Sequence, residues 1–256
     1  MTNLSTSAII LRRLDYSDYD LIITLFTRDQ GKVPAIAKYA KKSSRRFAGV
    51  LELFSVLKVL CTKGRRKGMP VLQEAAIIDP FPQIRTNIQK TAYASYWAEM
   101  INNWTEPGYP QIQVYDLLKY VLKELDKDRI PEPVLSILFQ IKFLALAGLS
   151  PNLTYCRICK KHFDSITRSG FIFNLSNGGI ACDKCGSRLS RQFTISKGAL
   201  KQLLWIGTGD FQKALRIKFS SQTLKESSKL LEAFVTCYLG RQPASLKVLH
   251  QIIRKT

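Results

Sequence analysis

Two short cysteine pairs constrain this chain more than any other feature. Cys156-Arg157-Ile158-Cys159 and Cys182-Asp183-Lys184-Cys185 are separated by 22 residues. In a Cys-x-x-Cys turn both thiolates can reach one ion while backbone amides donate to the sulfurs. Two such turns brought together make a tetrahedral sulfur site, the arrangement zinc takes in structural positions. Any fold must then carry residue 156 to the side of residue 185. Between the pairs, Phe171 to Phe173 reads as a strand and Asn177-Gly178-Gly179 as a hairpin turn, which outlines a module at about 151–192. Four such thiols also suit two local redox pairs or an iron–sulfur cluster, and His162 could replace one ligand. A catalytic zinc needs an open coordination position, and four cysteines fill the shell. The expectation is one structural Zn2+ on Cys156, Cys159, Cys182 and Cys185. Cys61 and Cys237 have no paired neighbour and read as small buried apolar residues.

Upstream of the cysteines, the hydrophobic period changes once. Ala8 to Leu11, Leu21 to Phe26, Val33 to Ala37, Val50 to Cys61 and Met69 to Ile78 read as five strands, with turns at Gly31-Lys32 and Gly64 to Gly68. Five strands in about 80 residues suggest a small, partly open OB-like barrel. After Pro80 and Pro82 the period becomes helical. Thr86 reads as the cap of a helix to about Trp104, followed by helices over Gln113 to Lys127 and from Pro131 and Pro133 to a stop at Gly148. Ser196 to Trp205, Ser221 to Leu239 and Ser245 to Arg254 also read as helical. The expected fold is α+β and multidomain. It places a five-stranded OB-fold barrel at 1–80 and an α-helical C-terminal domain at 81–256, with the four-cysteine zinc module embedded in the latter.

Charge points to the kind of partner. The chain carries 39 Lys and Arg against 19 Asp and Glu, a net +20. The middle, 81–150, is neutral, while 1–80 carries +7 and 151–256 carries +13. Such an excess repels itself in a compact fold, so a polyanionic partner is expected. The densest cluster is Lys38, Lys41, Lys42, Arg45 and Arg46, followed by Lys63, Arg65, Arg66 and Lys67. Both groups fall between expected strands, where barrel loops frame a groove that tracks phosphates without reading bases. Tyr39 and Phe47 sit among the charges as candidate stacking residues or core.

Catalytic patterns are missing from the sequence. It has no GxxxxGK[ST], GxGxxG after a strand, GxSxG or HExxH, and only two histidines, His162 and His250. Asp15, Asp18 and Asp20 are the candidate carboxylates for a divalent-metal nuclease, and their spacing around Tyr16 and Tyr19 reads rather as a polar turn. Binding without turnover is the expectation. No basic start leads into a long apolar run, and Val134 to Leu149 falls short of a bilayer span, so a cytoplasmic protein without membrane attachment is expected.

The order of these pieces resembles the bacterial RecO family of recombination mediators. The resemblance rests on Ala8-Ile9-Ile10-Leu11 followed by Asp18-Tyr19-Asp20 and on GKVPAIAKYAKKSSRRFAGVLELFSVLKV from Gly31 to Val59. It rests too on a helical middle and on two Cys-x-x-Cys pairs, the second followed by Gly186. It covers nearly the whole chain. Family members often also carry Gly after the first pair, where this chain has Lys160. The resemblance implies binding to single- and double-stranded DNA and annealing of complementary strands. It implies partnership with RecR, contact with the C-terminal tail of single-strand-binding protein, and help in loading RecA. A zinc-ribbon RNA-binding or ribosome-associated factor is the alternative, because an OB-like barrel binds RNA as readily.

Overall fold

Small and branched residues at every second position build the first sheet. In the computed structural model, which describes residues 2–63, 68–166, 170–186, 192–209, 211–214 and 216–254, β2 (Leu21–Thr27) and β3 (Gly31–Ala37) bury alternate side chains. With β1 (Thr2–Asp15), β4 (Val56–Lys63) and β5 (Val71–Asp79) they close a barrel in the order β1-β2-β3-β5-β4. Then follow α1 (Pro82–Thr86), α2 (Ile88–Trp104), α3 (Ile112–Lys127) and α4 (Glu132–Leu146). The remaining elements are β6 (Gly170–Asn174), β7 (Gly179–Ala181), α5 (Asp183–Gly186), β8 (Gln192–Ser196), α6 (Lys197–Thr208), α7 (Phe211–Ala214), α8 (Ser221–Leu239) and α9 (Ala244–Ile253). The five-strand barrel and the helical C-terminal part stand as expected.

β1 is far longer than its apolar centre, Ala8 to Leu11. Its first half pairs with β4 and its second half with β2, and a bulge between Ile10 and Arg12 lets it turn between them. Pairing followed once around the barrel leaves β1 at Leu14, passes Ile22, Ile36, Val71 and Thr62, and returns to β1 at Asn3. Strong stagger of this kind is what closing five tilted strands requires. Ile10, Ile23, Leu25, Ala35, Leu57, Val59 and Leu72 fill the interior with Cys61. Burial pushes the Cys61 thiol up to about 11, so it stays neutral as a small apolar residue.

Two expectations change here. The strand expected from Val50 begins only at Val56. The preceding residues form turns, with Val50 N donating to Phe47 O and Ser55 N to Glu52 O. Phe47, Leu51 and Phe54 are instead buried from this connection, Phe54 at a positive φ of 70°. Phe47 is therefore a core residue and offers no ring to a ligand. The α2 cap is Asn87, whose side chain accepts from the amides of Gln89 and Lys90, because Thr86 is still inside α1.

The chain divides into two compact units, Met1–Lys127 with Pro243–Thr256, and Asp128–Gln242. In the first, α9 packs on α2 and α1 on both α2 and α3. The Glu99 carboxylate on α2 accepts from the amides of Ala244 and Ser245 at the start of α9, at 3.1 and 2.8 Å. In the second, β6 pairs with β7 and β8, and α4, α6 and α8 pack on one another. Phe173 of β6 meets Phe234 of α8 edge to face at 5.5 Å. No helix among the described residues is long and apolar enough to cross a membrane.

Candidate metal centre and nucleic-acid interface

The module around the cysteines is a short sheet with a turn at either side. β6 and β7 form the expected hairpin, with Gly178 at φ 61° in its turn. On the far edge of β7, Asn152 N donates to Gly178 O and Ile180 N to Asn152 O, while Arg157 N donates to Ile180 O. This edge pairing seats the first Cys-x-x-Cys turn against β7. The second turn follows β7 directly, so three residues of strand join the two turns. Gly186 lies where an added Cβ would come within 2.7 Å of Ile172 Cδ1, which explains a glycine after the second pair.

The four sulfurs converge within 4.8 Å of one another. Cys159 and Cys182 Sγ are 3.7 Å apart. A tetrahedral ion with metal–sulfur bonds of about 2.3 Å needs sulfurs roughly 3.8 Å apart, so the spacing fits such an ion. Cys156 and Cys182 are buried, Cys185 is half-buried and Cys159 is exposed. Burial pushes the Cys156 thiol up, but the backbone amides of Cys159, Cys182 and Ile158 outweigh it and hold it down at about 6. Its neighbours oppose further ionisation. The hydrogen bond with Cys182, then burial, push Cys185 up to about 12. Four thiolates at this spacing need a cation between them. His162 stands outside the group, its Nδ1 accepting from Asp164 N at 3.2 Å. Cys237 is exposed, contrary to expectation. The buried stripe of α8 runs through Leu230, Leu231, Phe234 and Val235 and leaves Cys237 off it.

The basic residues after β3 lie at one end of the barrel. Asp15 pairs with Leu21, Leu21 with Ala37, and Ile36 N donates to Pro70 O, so the loops 16–20, 38–55 and the approach to β5 are neighbours. Lys38, Tyr39, Lys41, Lys42, Arg45 and Arg46 are all exposed. They are not equally free. Lys41 Nζ bonds to Ser17 O at 2.8 Å and pairs with Asp15 at 3.4 Å. Arg46 donates to Lys38 O and lies over the Phe47 ring. Lys42 Nζ sits 3.8 Å from the centre of the Tyr19 ring. Arg65, Arg66 and Lys67 lie outside the described residues, as does the side chain of Lys63.

Two of the three acidic residues near residue 15 are engaged elsewhere, and Asp18 is exposed. Asp15 is taken by Lys41, and Asp20 accepts from Tyr39 N at 2.8 Å. The same contact draws Tyr39 to Tyr19, with ring centres 6.1 Å apart and planes 14° from parallel. Tyr16 and Tyr19 were legible only as parts of a polar turn. Two aromatics in the loop between the first two strands of a small barrel were the signal that could have found them.

The model described as "Recombination protein O N terminal" matches residues 1–81, and "Recombination protein O C terminal" matches 85–247. A protein of Desulfatibacillum aliphaticivorans named "DNA repair protein RecO" is 43% identical over all of this chain and 99% of its own length. Its namesake in Desulfosudis oleivorans is 42% identical over 98% of this chain and 99% of its own. A third, from Syntrophus aciditrophicus, is 36% identical over 97% and 96%.

Proposed function

Since the chain belongs to the recombination protein O family of DNA repair proteins, whose members are non-enzymatic recombination mediators, we propose that it binds single- and double-stranded DNA and anneals complementary strands. The observation that carries this reading is the exposed set Lys38, Lys42, Arg45 and Arg46 gathered at one barrel end beside exposed Tyr39. Annealing must bring two polyanions together, and the counterions released from each strand make cationic contacts the main source of affinity. The exposed cations at the barrel end hold one strand, and we assign Lys63, Arg65, Arg66 and Lys67 to DNA binding with them from the sequence. The basic C-terminal region or a second copy of the chain holds the other.

The cysteine cluster takes Zn2+ in this reading. A closed four-sulfur shell leaves no position for substrate, so the ion ties the Cys156 turn to the Cys182 turn and adds to the folding energy of the module. RecR and RecA are the protein partners we assign from the family. The acidic tail of single-strand-binding protein is a third, docking in an apolar pocket rimmed by basic side chains in the helical region. The place of action is the bacterial cytoplasm, at the nucleoid.

Strand annealing tests the proposal. Purified protein should speed the pairing of complementary DNA strands, and changing Lys38, Lys42, Arg45 and Arg46 together to Ala should remove most of that acceleration. Acceleration that survives the four changes, or that matched RNA strands enjoy more than DNA, contradicts it.

A further inference from the structure

Three tyrosines gather at the barrel end, Tyr16 and Tyr39 open to water and Tyr19 with Lys42 over one face of its ring. Tyr16 and Tyr39 are 58% and 64% exposed, and Tyr19 is 38% exposed. Single exposed aromatics are common on protein surfaces, but a group of them in one place marks a binding surface. Here the group is also held in position. Tyr39 adopts a left-handed backbone, φ 56°, which is uncommon for an aromatic residue and costs it energy. Asp20 fixes that conformation by accepting from Tyr39 N, and Lys41 N donates to Tyr19 O at 3.0 Å. The loop between β1 and β2 is thereby latched to the loop after β3, with the Tyr19 and Tyr39 rings nearly parallel.

The surroundings fit a nucleic acid. Lys42 lies over the Tyr19 ring, Lys38, Arg45 and Arg46 are exposed in the same loop as Tyr39, and of the nearby carboxylates Asp15 and Asp20 are already occupied, leaving Asp18 exposed. Cations of this kind bind phosphates of a duplex and of a single strand alike. Rings do not. In a duplex the base faces are already stacked on one another, whereas an unpaired strand offers them to any aromatic plane.

Building on the DNA-binding reading above, we propose that Tyr16, Tyr19 and Tyr39 form a stacking platform for unpaired bases, and that this platform makes the barrel end prefer single strands over duplex. The cations supply attraction to either form, and the rings supply the discrimination. An annealed product therefore loses the platform contacts as its bases pair, which favours its release.

The test uses three probes at fixed salt: a thymidine homopolymer, a deoxyribose-phosphate strand of equal length without bases, and a matching duplex. Wild-type protein should bind the homopolymer more tightly than the abasic strand. Tyr39→Leu should weaken homopolymer binding by about ten-fold and Tyr16→Leu with Tyr39→Leu by more, while binding to the other two probes holds steady. Tyr39→Phe should bind as wild type, which separates ring stacking from a hydroxyl contact. Equal losses on all three probes, or no preference for bases in the wild type, overturns the platform and leaves DNA binding intact. A wild-type protein that binds none of the three overturns the DNA-binding reading itself.

Discussion

Lys160 sits in the left-handed region at φ 60°, and its amide closes the first cysteine turn on Cys156 O at 2.9 Å. A residue with a Cβ bears a cost of about 1–2 kcal/mol in that conformation, and glycine does not. Lys160→Gly should therefore stabilise the metal-loaded protein, by up to about 1 kcal/mol after the greater freedom of the unfolded glycine is subtracted. The denaturation midpoint of Asp128–Gln242, followed by a probe within the cysteine module, reads the change. Gly31 is the opposite case. At φ 64° it lies under the chain at Tyr109, whose carbonyl oxygen an added Cβ would meet at 2.0 Å. Gly31→Ala must displace that segment, and a loss of more than 1 kcal/mol in thermal or denaturant unfolding is expected. The four clustered cysteines were legible because spacing alone carries them. The position of Lys160 stood out only through the resemblance, whose members often carry Gly there, since a left-handed lysine looks like any other in sequence. Cys237 read as buried for want of a partner, and only the phase of the α8 stripe places it outside.

At the scale of elements, periodicity located the helices and the outline of the barrel, and missed whatever depends on distant pairing. Thr2 to Ser7 carries no long apolar run, yet it is strand because β4 pairs with it. The run at Leu51 and Leu53 resembles strand continuing into β4, although its apolar side chains fill the barrel from a turn. The docking of α9 is equally invisible, because Glu99 lies far from Ser245 in the chain. Glu99 is partly buried, which pushes its carboxyl up, but hydrogen bonds from Ser245 and Ala244 outweigh this and hold it below the ordinary glutamate range. A lowered carboxyl value stabilises the fold above the ordinary range and loses that contribution as pH falls through the lowered value. Glu99→Gln should cost about 1 kcal/mol near neutral pH, the usual worth of satisfying a helix N-terminus. The gap between variant and wild-type urea midpoints should shrink on acidification. A gap that stays constant with pH would show that the carboxylate charge plays no part.

For the whole molecule, the charge map and the cysteines describe two separate jobs. The cations at the barrel end belong to the unit Met1–Lys127 with Pro243–Thr256, and the sulfur cluster to Asp128–Gln242. Chelation, or Cys182→Ser, should lower the thermal stability of the second unit and leave single-strand affinity within about two-fold, as elemental analysis and DNA titration on the same samples would show. Composition announced a polyanionic partner, but it could not say which of 39 basic residues face it. Folding sorts them, since Lys41 is committed to Asp15 and Ser17 while Lys38 and Arg45 stay exposed. The most direct measurement is the salt dependence of single-strand binding, compared between wild type and the variant with Lys38, Lys42, Arg45 and Arg46 changed to Ala. The slope of log affinity against log salt should become shallower by about 2 to 3, one counterion release being lost with each phosphate contact. An unchanged slope would contradict the assignment of this barrel end as the surface that gathers DNA.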